Sequence, residues 1–402
     1  MRTISLSNQF MLAATFGLAF AAWGCQLSSS SGTTSAGGSS SGGSSGGGGT
    51  GGSSSTLSAA GGSSSALTFD PTKPPCDTYA EDGGPCVAAH STIRILSSAW
   101  AGKKLYQVRV GGSNSGTGGS LQDILAGPNG FADSSAQDTA CGSSACTIST
   151  IYDQSGQGND LVHTPAGGGQ KPGADNEANA KGAAITVNGQ NLYGVKIVAG
   201  VGYRNTTASQ TATGDNPETE YAVVSGTFFN GSCCFDYGNM ETSIHDDGEG
   251  TMEAVYFGNC TIWNEGGGSG PWVMGDLENG LWAGDSTPYN ANPTIPSSWS
   301  LVTGMVKGGN AGTHHWTIKE GNAQSGALNT VFDGGRPGGS SGRYWTMKKE
   351  GAIGLGTGGD NSDGDEGYFF EGIMTAQYSS DAADTAVQAN VVAAYSQATQ
   401  LP

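Results

Sequence analysis

The sequence predicts an all-β sandwich. Short β-rich runs recur between Gly, Asn, Asp and Ser turns, glycine supplies 70 of the 402 residues, and only two segments read as helical. That pattern argues for a sandwich of many short strands rather than a parallel α/β sheet. The expected strands are 92–96, 105–109, 147–152, 194–197, 221–224, 252–257, 300–306, 315–318, 352–355 and 368–374. The helical exceptions are 120–124, which is short, and 381–397 near the C-terminus. In the latter, Ala386, Val387, Val391, Ala394 and Tyr395 form an apolar stripe at helical spacing, which reads as core packing.

Three regions are expected. Residues 1–25 read as an export signal: Arg2 gives a positive start, Met11 to Trp23 is apolar, and small residues surround its end. The apolar run is too short for a stable membrane span. Gly24-Cys25 resembles a bacterial lipoprotein cleavage site, in which Cys25 becomes the lipidated first residue and attaches the protein to a membrane. Ordinary signal cleavage nearby, with Cys25 incidental, is the alternative. Residues 26–68 are nearly all Ser, Gly, Thr and Ala; such a stretch cannot bury enough apolar surface to offset chain entropy, so a flexible tether is expected. Residues 69–402 then form the folded domain, with no second linker and no strong internal repeat. The protein is expected to be exported, as a cell-surface lipoprotein or an extracellular protein, and monomeric.

Composition narrows the function. Lys+Arg total 16 against 34 Asp+Glu, a formal charge of -18, which argues against a nucleic-acid partner because phosphate binding needs a basic surface. Cys76 and Cys86, and Cys141 and Cys146, bracket short loops and read as local disulfides. Neither pair has Cys-x-x-Cys spacing or a nearby His set, and His90, His163, His245, His314 and His315 lack zinc-ligand spacing, so no metal site and no cofactor are expected. Cys233-Cys234 is rarer. Adjacent cysteines bond through a strained ring that makes a rigid apolar plate, or else each pairs elsewhere, for example with Cys260.

Gly270-Pro271-Trp272-Val273-Met274-Gly275-Asp276-Leu277-Glu278-Asn279-Gly280-Leu281-Trp282 concentrates two acids and an amide between tryptophans. If the run is extended, Trp272, Met274, Asp276 and Glu278 share a face. Two acids on one face repel, a cost that a sugar-binding or catalytic pocket justifies. The plainer alternative is a strand end whose acids face water. Gly358-Gly359-Asp360-Asn361 is ordinary turn chemistry taken alone. Trp272 and Trp282 read as core. Glu253, between Met252 and Ala254, reads as an acid supporting a site from behind or as part of a solvated face.

Several blocks together identify a relative. They are Pro75-Cys76-Asp77-Thr78-Tyr79, Pro85-Cys86-Val87-Ala88-Ala89-His90-Ser91-Thr92, Ile151-Tyr152-Asp153-Gln154-Ser155-Gly156-Gln157-Gly158-Asn159 and Gly202-Tyr203-Arg204-Asn205. Further along stand Ser232-Cys233-Cys234-Phe235-Asp236-Tyr237-Gly238-Asn239, Met252-Glu253-Ala254, the 270–279 stretch, Lys349-Glu350-Gly351-Ala352-Ile353 and Gly358-Gly359-Asp360-Asn361-Ser362. With these blocks in this order, residues 74–396 resemble the catalytic domain of α-L-arabinofuranosidase B, the glycoside hydrolase family 54 type.

The resemblance implies a jelly-roll, lectin-like β-sandwich and a retaining exo-hydrolase that removes terminal arabinofuranose from arabinan, arabinoxylan and related plant polymers. It implies that Glu278 is the nucleophile and Asp360 the general acid/base. Cys233-Cys234 would be a vicinal disulfide lining the sugar pocket, and Trp263, Asp276, Asn279 and Gly359 would contact the arabinose. The pairings Cys76–Cys86 and Cys141–Cys146 match the family's disulfides. Cys260 then has no partner and reads as a small buried hydrophobe or a reactive thiol. Fungal members carry a C-terminal β-trefoil, which is not expected here.

The residue types suit that chemistry. Retention needs two carboxyl groups about 5–5.5 Å apart, one to attack and one to protonate the departing oxygen. A glycine-rich turn lets backbone approach the sugar closely. The rival readings are a non-catalytic lectin-like carbohydrate-binding module, which has no need of both Glu278 and Asp360, and a surface structural protein, which only the tether and glycine content favour.

Overall fold

Glycine and asparagine turns cut the chain into strands of between 2 and 12 residues, too short to bury a face alone, so they assemble into two large sheets. The computed structural model describes residues 69–309 and 312–401; the export signal, the tether and Cys25 lie outside the described residues. One sheet of nine strands runs in the spatial order Asn329–Gly335, His315–Asn322, Leu301–Gly308, Glu218–Phe229, Gly367–Thr375, Gln190–Ile197, Ala183–Val187 and Thr399–Gln400, with Cys86–Ser91 also on Gly367–Thr375. The other, of ten, runs Leu281–Trp282, Trp272–Asp276, Glu253–Gly258, Asp236–Met240, Ala352–Leu355, Tyr203–Asn205, Leu161–His163, Cys146–Ile151, Lys104–Val110 and Ser120–Leu125. Neighbouring strands are antiparallel throughout. This is the expected β-sandwich.

The sheets meet through glycines opposite bulk. A Cβ on Gly275 would lie 2.6 Å from the buried Trp316 ring in the facing sheet, and one on Gly304 would lie 3.0 Å from Val273. Ala222, Val224, Val255, Phe257, Val302 and Phe369 fill the space around them, the larger side chains each contributing about 1.5–3 kcal/mol by burial. The helix Asp381–Tyr395 packs at the C-terminal end of the fold, capped where the Ser380 side chain accepts from the Ala383 amide. Val387, Val391, Ala394 and Tyr395 are buried as the stripe requires, whereas Ala386 is exposed and Ala383 lies inside instead. No helix among the described residues is long and apolar enough to cross a membrane.

Four expectations change. The 92–96 run is buried but is not a strand; its backbone bonds to the 130–132 loop, with Ile95 donating to Gly130 and Ala132 donating to Ile93, while the strand is Cys86–Ser91. The 120–124 segment is no helix: Ser120–Leu125 is an edge strand paired with Lys104–Val110. The strand expected to carry both Asp276 and Glu278 stops at Asp276.

Glu253 belongs neither behind the site nor on a solvated face. It is fully buried and accepts a bidentate pair from Arg336, both at 3.0 Å, and a third bond from Lys349 at 2.9 Å. Lys349 also pairs with buried Glu218 at 2.8 Å. Burial alone would raise Glu253, but the two cations overcome it and hold the carboxyl down to about 2.

Candidate functional site

The site begins where the Trp272–Asp276 strand turns back into Leu281–Trp282, with Gly275 facing Trp282 and Asp276 facing Leu281. Four residues make that turn, and both Glu278 (φ 61°) and Asn279 (φ 57°) are left-handed. Such conformations cost non-glycine residues of order 1–3 kcal/mol and persist where surroundings over-determine them. Here the surroundings are specific. The Glu278 amide donates to Asp276 Oδ1 at 3.1 Å, Tyr344 Oη donates to the Glu278 carbonyl at 3.0 Å, and Asn279 Nδ2 donates to Asp246 at 2.9 Å. The turn therefore aims Glu278 to the same side as Asp276 by a route that strand alternation does not describe.

A second turn, after strand Ala352–Leu355, closes the site. The Gly358 amide donates to the Ser362 carbonyl at 2.9 Å, and Asp360 Oδ1 accepts from the Ser362 amide at 3.0 Å and hydroxyl at 2.6 Å. Gly359 has no room for a side chain: a Cβ there would lie 1.9 Å from Glu241 Oε2 and 2.5 Å from Glu278 Oε2. That close approach brings Asp360 to the edge of the pocket holding Glu278.

These two turns, the Cys233-Cys234 segment and the Trp263 loop enclose a cavity of about 190 Å³. Glu278, Asp360, Cys233, Cys234, Trp263, Asp276, Asn279 and Gly359, the eight residues singled out in the sequence, all line it. Gln170, Asp246, Gly280, Gly358 and Ser362 complete the lining; Gly280, Gly358 and Ser362 lie in stretches singled out in the sequence without a role of their own, and Gln170 and Asp246 lie in none. Cys233 and Cys234 are joined to each other, Cys76 to Cys86 and Cys141 to Cys146; Cys260 is a buried free thiol. Trp263 is 46% exposed at the rim, its carbonyl held by the Leu281 amide at 2.8 Å, while Trp272 is buried in core. Among the described residues, one cluster has metal-ligand spacing, Cys233, Cys234 and Asp276; its sulfurs are already bonded to each other, so it offers one carboxylate only.

The floor of the cavity is acidic and buried. Asp276 and Glu278 are 5% and 7% exposed, and behind them stand fully buried Asp236 and Glu241 from the Asp236–Met240 strand and its end. Burial pushes Asp276 and Glu241 each up to about 7. Burial also raises Asp236, reinforced by Asp276 alongside it, and raises Glu278, reinforced by Glu241, Asp276 and Asp360. Each outer acid stands against an inner one, Asp276 beside Asp236 and Glu278 beside Glu241, and both Asp236 oxygens and Glu241 Oε2 meet no hydrogen-bond partner among the described residues. One buried cation, Arg204, sits beside them; it donates to the Glu241 carbonyl at 2.9 Å and to the Gly358 carbonyl, tying the two walls together. Burial lowers it to about 10. The arrangement offers carboxyl groups to hydroxyls, a flat apolar plate and an aromatic rim, which is a monosaccharide-sized polar pocket.

With this geometry in place, comparison with known proteins is direct. The family described as "Alpha-L-arabinofuranosidase B, catalytic" matches residues 75–397. The chain belongs to that family. It is 53% identical over 324 residues to a probable α-L-arabinofuranosidase B of Aspergillus terreus, covering 80% of this chain and 62% of the relative. It is 52% identical, with the same coverage, to an α-L-arabinofuranosidase of Hypocrea jecorina. The chain thus spans 62% of the length of these curated relatives. Two solved structures superpose at a TM-score of 0.74, each covering 82% of this chain and 66% of its own. One is a GH54 α-L-arabinofuranosidase soaked with a cyclic sulfate inhibitor, 48% identical; the other is an arabinofuranosidase complexed with arabinofuranosyl-α-1,2-xylobiose, 47% identical.

The inner acids, Asp236 and Glu241, carry no site role on sequence grounds. Asp236 lies inside a block that carried the resemblance but had no role assigned to it. Glu241 stands just past a strand end in Met240-Glu241-Thr242-Ser243, with nothing local to mark it.

Proposed function

We propose that this domain is a retaining, exo-acting α-L-arabinofuranosidase that removes terminal arabinofuranose from arabinan, arabinoxylan or a related plant polymer. The observation that carries this reading is the meeting of Glu278 and Asp360, from separate turns, in one cavity with room for about a single sugar. The names and bound ligands of the relatives point the same way.

In this reading Glu278 attacks the anomeric carbon as the glycosidic C–O bond breaks, and Asp360 gives its proton to the departing oxygen. Water then attacks the glycosyl ester, Asp360 takes the water proton, and Glu278 leaves as carboxylate. Asp276 and Asn279 hold sugar hydroxyls, the disulfide plate and Trp263 take the C–H face, and Gly359 admits the ring close to backbone. The oxidised protein is expected to hydrolyse 4-nitrophenyl α-L-arabinofuranoside, and Glu278→Gln to abolish turnover. Asp360→Asn is expected to lose less on that activated substrate than on a natural disaccharide, because a good leaving group needs little protonation. Binding of arabinose with no hydrolysis would favour the lectin-like alternative instead.

Three disulfides in the described domain fit an oxidising compartment, which supports export. The reading extends to a lipid on Cys25 and a Ser/Gly tether that holds the domain off a cell surface. Mass spectrometry of the mature N-terminus checks it: a mass with no acyl chain on Cys25 removes the anchor.

A further inference from the structure

Glu241 lies against Gly359 and Glu278, yet it lines no part of the cavity and the mechanism above gives it no task. It is fully buried, just beyond strand Asp236–Met240. Its Oε1 accepts from the Thr251 hydroxyl. Its Oε2 is buried and meets no donor among the described residues. What it does meet is Glu278: the two Oε2 atoms flank one point above Gly359, 1.9 and 2.5 Å from where a Cβ would stand.

Two carboxylate oxygens facing each other out of water, with no donor between them, are costly as a pair of anions. A single proton converts that repulsion into a hydrogen bond. We propose that Glu241 is a positioning residue that shares one proton with Glu278, and that moving this proton fully onto Glu241 Oε2 frees Glu278 as the attacking carboxylate. The inference rests on the assignment of Glu278 as nucleophile.

The charges facing the pair support it. Arg204, on the neighbouring strand Tyr203–Asn205, spends two of its donors on the Glu241 and Gly358 carbonyls and none on either carboxylate, and its Nε is unpaired. Asp276 stands beside Glu278 at the end of its strand, Asp360 faces it from the second turn, and Glu350 holds the Thr242 amide and hydroxyl next in chain. One cation therefore stands among several acids, so a retained proton lowers the net negative charge. Burial raises both Glu241 and Glu278, in keeping with a pair that keeps a proton near neutrality. The proton balance of the reaction is unchanged: the attack moves the proton within the pair, and the return of Glu278 moves it back.

Two measurements on the full protein test this. Infrared difference spectra at neutral pH are expected to lose the same protonated-carboxyl band in Glu241→Gln and in Glu278→Gln, with no further loss in the double variant, because the proton belongs to the pair. Separate, additive losses would overturn the proposal. In the pH profile of kcat/KM on 4-nitrophenyl α-L-arabinofuranoside, Glu241→Gln keeps a donor opposite Glu278 and is expected to leave the acidic limb in place. Glu241→Leu removes the donor and should move that limb up by about one pH unit. Acidic limbs that coincide in all three proteins would reduce Glu241 to packing. The infrared result does not depend on turnover, so it stands apart from any failure of the nucleophile assignment, which azide rescue of Glu278→Gly tests separately.

Discussion

Gly359→Ala isolates the closest approach in the site. Its φ is not among the left-handed ones, so alanine meets no backbone strain and only the added methyl matters. That methyl would lie 1.9 Å from Glu241 Oε2 and 2.5 Å from Glu278 Oε2. Real contacts of this kind are about 3 Å or longer, so Glu241 must withdraw by about an ångström and Glu278 by about half that. A displacement of about 1 Å at a reacting group costs on the order of 10²-fold in rate, so about half an ångström at Glu278 corresponds to about tenfold, about 1.4 kcal/mol of transition-state stabilisation. Overpacking costs about 1–3 kcal/mol of stability, which the fold survives. The assay is kcat/KM on 4-nitrophenyl α-L-arabinofuranoside beside a thermal melt. Gly358→Ala is the comparison, since its Cβ would meet Ser362 Cβ at 3.3 Å and Cys234 Sγ at 3.5 Å and calls for a smaller movement and a smaller loss. If Gly359→Ala stays within about twofold of the parent, Glu241 and Glu278 are not held tightly in place.

Two further predictions concern stability. Lys349→Met leaves buried Glu218 with no cation and Glu253 with Arg336 alone, a break expected to cost about 3–5 kcal/mol and to lower Tm by several degrees; a change below about 1 kcal/mol would contradict the network. Thermal stability should also peak in mildly acid solution. Asp236, Glu241, Asp276, Glu278 and Asp365 are raised by burial, so their contribution is complete below the unfolded value of about 4 and is lost as pH rises through the folded values, about 7 for Glu241 and Asp276 and about 8 for Asp365. Glu253, held down to about 2, acts oppositely: its contribution is present above about 4 and is lost as pH falls toward 2. A Tm that climbs steadily from pH 5 to pH 8 would contradict this balance.

The β class was legible because strand composition and turn residues act locally: 352–355 is the strand Ala352–Leu355, and 315–318 lies within His315–Asn322. The misses are places where tertiary partners decide. Leu121 and Ile124 are spaced as on a helix, yet the edge of a sheet claims them. The 92–96 run has strand composition, but a loop rather than a ladder takes its backbone bonds. Within the site, Asp276 and Glu278 stood out because acids beside tryptophan are rare in a chain that is 12% charged. Their shared direction was anticipated for the wrong reason, since a left-handed turn and not strand alternation aims Glu278. Asp360 was visible only through the resemblance. Asp236 and Arg204 stand in blocks that carry the resemblance and Glu241 in none, but all three reach the site through space from strands distant in sequence, which no local pattern expresses.

In the proposed reaction Glu278 attacks the sugar and forms a covalent intermediate, with retention overall. Azide rescue of Glu278→Gly tests it most directly. With the nucleophile removed, small azide enters the vacated space and attacks the same face of the anomeric carbon while Asp360 still assists departure. The expected result is restored cleavage of 4-nitrophenyl α-L-arabinofuranoside with β-L-arabinofuranosyl azide, the inverted product, visible by NMR. No rescue, or an azide of retained α configuration, would take the nucleophile role away from Glu278.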